Sequence, residues 1–143
     1  MNAVPENWNE LIGALPGANL LQTREWAGVK TAGGWEAAPH IWRGAEGQIE
    51  AAALTLHKAV RLGGFAVKLG IVYVPRGPLL DWENASLRAR VLDDLQAFAR
   101  RKGAIFVKID PDVKAGLGVP RSDDARDCAP GLAIRDELEA RGW

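Results

Sequence analysis

The sequence predicts an α/β (α+β) fold, a mixed and mostly antiparallel sheet flanked by helices, within a single domain. Strand-like runs at residues 35–42 and 48–58 are joined by the glycine-bearing segment 43–47, which is the spacing of an antiparallel hairpin. Two further apolar runs, residues 71–74 and 104–109, lie on either side of a stretch in which Leu87, Val91, Leu95 and Phe98 recur every three or four residues, the period of a half-buried helix. The chain has 143 residues, 48% of them hydrophobic, which is enough for one domain and one core.

The elements follow in order. Pro5, then Trp8, Leu11, Ile12 and Leu15, gives an apolar stripe at helical spacing that Pro16-Gly17 ends. Residues 19–22 read as a brief strand or extended segment. Thr23 is placed to cap a second helix bearing Trp26, Val29 and Lys30, closed by Gly33-Gly34. Trp26 and Lys30, four apart, share one face of it. After the hairpin, residues 62–70 are glycine-rich, with few good helix formers, and lead into a third strand at 71–74 that Pro75 terminates. Asn84 or Ser86 caps the long helix, Arg88, Arg90, Asp93 and Asp94 fall mostly opposite its apolar stripe, and Gly103 closes it. Residues 104–109 have the composition of a strand inside a sheet covered on both faces.

Residues 110–130 contain three Pro, two Gly and five Asp and are expected to form a mobile loop. The final helix spans residues 131–141, with Leu132, Ile134 and Leu138 inward and Gly142 as its cap. Trp143 then reads as the start of a further strand, so the chain is expected to be a fragment of a longer protein.

Eighteen basic and eighteen acidic residues cancel, which argues against a strong sequence-independent grip on nucleic acid. The lone Cys128 excludes an internal disulfide and suits a reducing compartment. No charged leader precedes an apolar run, and no run approaches the ~18 residues of a membrane span, so a cytoplasmic protein is expected. Six tryptophans are many for this length, and core packing is their first explanation.

The two serines, Ser86 as a helix cap and Ser122 in the acidic loop, show no pairing with His40 or His57, so a hydrolytic triad has no support. Two isolated histidines and one cysteine give no metal-ligand spacing, and Asp110-Pro111-Asp112 lacks the ligands a hard cation requires; no metal site is expected. Residues 114–118 are glycine-rich but follow no strand, so neither dinucleotide nor nucleoside-triphosphate geometry fits.

The positions able to carry chemistry stand at strand ends, in YVPRGPLLDW (residues 73–82) and FVKIDPD (residues 106–112). The guanidinium of Arg76, beside proline-fixed backbone, can fork onto a phosphate or carboxylate, or can brace Asp81 or Asp110. Asp81 can accept a hydrogen bond from an amine, or serve only as an acidic residue ahead of a helix. Lys30, beside Trp26, can present a point charge to phosphate at a cleft edge.

Together with LLQTREWAGVK (residues 20–30), GWEAAPHIWR (34–43) and LEARGW (138–143), these two motifs resemble, in order and spacing, the Fem family of non-ribosomal peptidoglycan aminoacyltransferases, over residues 19–143. The resemblance implies a GNAT-like acyltransferase fold, with residues 1–143 as the first of two such domains and the second absent. It implies transfer of an amino acid from aminoacyl-tRNA to the stem-peptide amine of a UDP- or lipid-linked muropeptide, without coenzyme A or metal. By motif position, Lys30 meets the nucleotide-sugar phosphates, while Tyr73, Arg76 and Asp81 line the acceptor cleft; Trp26 and Asp110 complete the binding set, and Asp81 is the catalytic candidate. Aminoacyl-tRNA is expected to engage the missing domain, whose docking surface could drive self-association, and the chain alone is expected to be inactive. Residues 114–130 are longer and more acidic than the family's connection. Two alternatives stand beside this reading: a non-catalytic muropeptide- or protein-binding module of the same fold, and an acyl-CoA-dependent N-acyltransferase, which the missing coenzyme A loop disfavours.

Overall fold

The computed structural model describes residues 3–61, 68–119 and 121–143. Helix α1 (Trp8–Gly13) turns Trp8 and Ile12 inward, with Leu15 just beyond it. Residues 20–22, expected to be extended, form instead one 3-10 turn (Leu20–Gln22). The Asn19 side chain accepts the Leu21 N–H at 3.0 Å, and this local bond favours a turn over a strand. Thr23 caps α2 (Arg24–Ala32) through the Trp26 N–H, and Gly33 ends it, as the sequence predicts.

Strands β1 (Glu36–Arg43) and β2 (Ile49–Arg61) form the predicted antiparallel hairpin, with Glu36 opposite His57 and Trp42 opposite Ala51. Strand β3 (Lys68–Val74) starts earlier than expected and pairs antiparallel with β2. Of the glycine-rich segment, residues 62–67 lie outside the described residues. Strand β4 (Leu79–Leu80) also lies against β2, at Ala51 and Ala52. After α3 (Ala85–Arg101), β5 (Ala104–Ile109) runs parallel to β3, so the main path of the sheet is β1-β2-β3-β5. The sheet is mixed and mostly antiparallel, as expected. The place of β5 is not: it ends the path, and Ile105 and Phe106 are 60% and 52% exposed. A short apolar run identifies a strand without fixing its position in a sheet.

Side-chain alternation sorts the core into two layers. Leu54 and Leu56 meet Trp8, Ile12 and Ala27 on the side of α1 and α2. Ala51, Ala53 and Val74 meet Leu87, Val91 and Leu95 on the side of α3, and each fully buried Leu or Val contributes roughly 2 kcal/mol. Asn84, rather than Ser86, caps α3.

Arg88, expected to face outward, is only 7% exposed. Its guanidinium donates to the Glu137 carboxylate, 3.1 Å from Nε, and to the Trp82 carbonyl, tying α3 to α4 (Ala129–Ala140). Position 88 borders the apolar stripe, where an arginine is tolerated because a carboxylate and a carbonyl satisfy it. Residues 110–130 are not wholly irregular, since β6 (Gly116–Leu117) and β7 (Arg126–Asp127) pair as a two-stranded ribbon. Ile134 is buried and Leu132 and Leu138 are half-buried, while Gly142, at φ +81°, ends α4. The Trp143 N–H donates to the Leu138 carbonyl at 3.0 Å and its ring packs against the α3 core. Among the described residues no helix is long and apolar enough to cross a membrane, and no group of three metal-ligating side chains occurs.

Candidate functional site

Strands β3 and β4 both lie against β2, and residues 75–78 between them leave the ladder. Such an excursion strands backbone groups that must find partners elsewhere. Gln22, fully buried, supplies them: its amide oxygen accepts the Leu54 N–H at 2.6 Å, and its amide nitrogen donates to the Pro75 carbonyl at 2.5 Å. Gln22 is therefore a strut under the turn that carries Arg76. Sequence reasoning missed it, because its partners are 32 and 53 residues away.

The C-terminal ends of β3 and β5 are neighbours, with Val74 opposite Ile109. Asp110, one residue past β5, consequently reaches both sides of the turn. One carboxylate oxygen accepts the Tyr73 hydroxyl at 2.9 Å, and the other accepts the Arg76 N–H at 2.5 Å. Burial and, after it, the Asp110 carboxylate push the Tyr73 phenol up to about 12, so it stays protonated and donating at neutral pH. Arg76 is held in the left-handed region at φ +50°. Its guanidinium pairs with Asp112 at 3.1 Å, a partner the sequence reading did not name, rather than bracing Asp81 or Asp110.

Arg76 and Asp81 share the wall of a cleft of about 650 Å³, with Asp112, Lys114 and Asp127 also at its edge and Leu79, Leu80 and Ile134 forming an apolar lining. Asp81 is exposed, and one of its oxygens accepts the Glu83 N–H at 3.0 Å, a local turn ahead of α3. Its other oxygen has no hydrogen-bond partner among the described residues.

Lys30 and Trp26 do not line this cleft. The Lys30 ammonium lies 4.8 Å from the centre of the Trp26 ring and 5.8 Å from that of Trp35. Trp26, Trp35 and Tyr73 all pack on the core layer of α1 and α2, so Lys30 shares a sheet face with Tyr73. The six predicted residues thus form two groups, Arg76 with Asp81 in the cleft and Lys30 with Trp26 on the sheet face, and Tyr73 and Asp110 connect the face to the Arg76 turn. Trp35 also escaped the sequence reading; its place at a strand start was legible, but its contact with Lys30 needed the packing of α2 on β1.

The FemAB family model matches residues 6–142. A lipid II:glycine glycyltransferase from Staphylococcus aureus (strain bovine RF122 / ET3-1) is 30% identical over 118 residues, which is 82% of this chain and 27% of that protein. Its counterpart from Staphylococcus haemolyticus (strain JCSC1435) is 28% identical over 119 residues, 83% of this chain and 27% of that protein. The crystal structure of FemX superposes with a TM-score of 0.69 at 27% identity, over 94% of this chain and 29% of that one. The chain therefore spans about a quarter of the length of the curated relatives it matches, 27% in both cases.

Proposed function

The chain belongs to the FemAB family, and we propose that it is the acceptor-binding part of a transferase that moves an amino acid from aminoacyl-tRNA to the stem-peptide amine of a peptidoglycan precursor, in cross-bridge synthesis. The observation that carries this reading is the grip of Asp110 on both Tyr73 and Arg76, which holds a cation and a neutral phenol donor in fixed relation beside a cleft. The relatives' name specifies lipid II as their acceptor, so the acceptor here is a lipid-linked or UDP-linked muropeptide.

In the proposed reaction the stem-peptide amine, delivered neutral, attacks the ester carbonyl of the aminoacyl-tRNA. A C–N bond forms, the ester C–O bond breaks, and the ribose hydroxyl leaves with a proton. Asp81, on the cleft wall with a free carboxylate oxygen, orients the ammonium and takes its proton. Lys30 serves the diphosphate of the acceptor as a point charge. We assign residues 1–143 to the first of two GNAT-like domains, the second engaging the aminoacyl-tRNA and supplying oxyanion donors. On this reading the reaction uses neither coenzyme A nor a metal ion, the protein is cytoplasmic, and this chain alone binds without transferring.

Calorimetric titration with UDP-linked muropeptide, run in parallel with coenzyme A, tests the proposal. Saturable muropeptide binding that weakens about tenfold in Arg76→Ala, with no coenzyme A binding, is the expected result. Tight coenzyme A binding, or muropeptide binding indifferent to Arg76→Ala, overturns the assignment.

A further inference from the structure

Two ladders on β2 leave a gap between them. On the side away from β1, residues 56–61 of β2 pair with β3 and residues 51–52 with β4. Leu54 falls between the two, and its N–H and carbonyl face the space that opens where residues 75–78 swing out. The Gln22 side chain fills this space as a peptide unit of a further strand would. Its oxygen accepts the Leu54 N–H, and its nitrogen, 3.5 Å from the Leu54 carbonyl, donates to the carbonyl of Pro75.

The Pro75 carbonyl and the Arg76 N–H belong to one planar peptide unit, so side chains hold that unit at both ends. Gln22 Nε2 lies 2.5 Å from the carbonyl oxygen, and an Asp110 carboxylate oxygen lies 2.5 Å from the nitrogen. The C=O and N–H of a trans peptide point apart, which places the two residues on opposite sides of the chain. Fixing this plane fixes where Arg76 begins. Arg76 stands at φ +50°, a conformation that a residue with a Cβ keeps only where its surroundings impose it.

Gln22 is itself anchored. Its own carbonyl accepts the Trp8 indole N–H at 2.7 Å, and both residues are fully buried. Gly77 closes over the amide so tightly that a Cβ there would lie 3.1 Å from Gln22 Nε2. The chain of contacts thus runs from α1 through Gln22 to the turn whose Arg76 lines the cleft.

We propose that Gln22, anchored by Trp8, is a positioning residue for anion binding. Together with Asp110 it clamps the peptide unit that sets the Arg76 guanidinium at the cleft, so affinity for an anionic ligand depends on an amide buried beneath the site. The identity of that ligand as a muropeptide rests on the proposed function; the clamp on Arg76 does not.

Amide hydrogen exchange and calorimetric titration with UDP-linked muropeptide test this on the whole chain. Gln22→Met and Trp8→Phe, each alone and combined with Arg76→Ala, are compared with wild type. Trp8→Phe keeps a buried ring and removes the N–H, so it carries the test if Gln22→Met does not fold. Leu95→Ala, in the α3 layer, is the control for a fold weakened elsewhere. Exchange of the Arg76 N–H, taken relative to the Val91 and Leu92 amides of the same protein, is expected to rise about tenfold in Gln22→Met and about threefold in Trp8→Phe. Leu95→Ala should leave this ratio at its wild-type value. Muropeptide affinity is expected to fall about fivefold in Gln22→Met, and no further when Gln22→Met is added to Arg76→Ala, because a residue that acts through another loses its effect once the other is gone. A purely structural role would speed exchange throughout the chain and add its loss to that of Arg76→Ala. An unchanged Arg76 exchange ratio in the variants, an equal rise in Leu95→Ala, or additive losses of affinity overturns the clamp. A raised ratio in a chain that ignores muropeptide upholds the clamp and removes the muropeptide reading.

Discussion

Asp110 accepts a hydrogen bond from the Tyr73 hydroxyl at 2.9 Å, across the parallel ends of β5 and β3. The contact joins the two sequence motifs that end β3 and β5. After burial, it is also what raises the ionisation of Tyr73, which as the one tyrosine in the chain can be followed by absorbance.

Tyr73 should therefore ionise near 12 in the folded protein, through burial first and Asp110 second. The folded state keeps its proton in a range where the unfolded chain, at about 10, has lost it, so this group's contribution to stability is full below that value and is lost as pH rises towards 12. Phenolate absorbance should show Asp110→Ala ionising at lower pH than wild type. Urea unfolding should show a smaller loss of stability between about pH 10 and about pH 12 in that variant. An unchanged titration curve in Asp110→Ala would remove the coupling.

The backbone of Arg76 and its guanidinium can be tested apart, because at φ +50° a glycine relieves strain that an alanine retains. Arg76→Gly is expected to match or exceed wild-type stability by up to about 1 kcal/mol, since the partly exposed Asp112 pair contributes little. It should nevertheless lose muropeptide affinity as far as Arg76→Ala does. If Arg76→Gly binds as wild type, the turn rather than the charge makes the site.

Arg88→Met should destabilise the fold by about 2–3 kcal/mol in urea unfolding. It strands the Trp82 carbonyl and a half-buried Glu137 whose carboxyl Arg88 holds below the usual carboxylate range. Adding Glu137→Leu should recover part of the loss, as replacing a whole buried pair does. A double variant less stable than Arg88→Met would show that Glu137 stabilises by itself.

Local pattern and punctuation determined much of this protein. Thr23 and Gly33 bound α2, segment 43–47 turns the hairpin, and the Leu87, Val91, Leu95 stripe makes α3, because capping, turn and period are interactions among residues a few positions apart. The same reading located Tyr73, Arg76, Asp81 and Asp110 at strand ends. Only tertiary structure decided what these residues touch. Strand pairing set Asp110 against Tyr73 and Arg76, buried Gln22 under the turn, drew Arg88 inward to Glu137, and left β5 at the end of the sheet path. Those outcomes depend on backbone groups that must find partners and charges that must be paired, between segments up to 53 residues apart, and no periodicity within one segment encodes them.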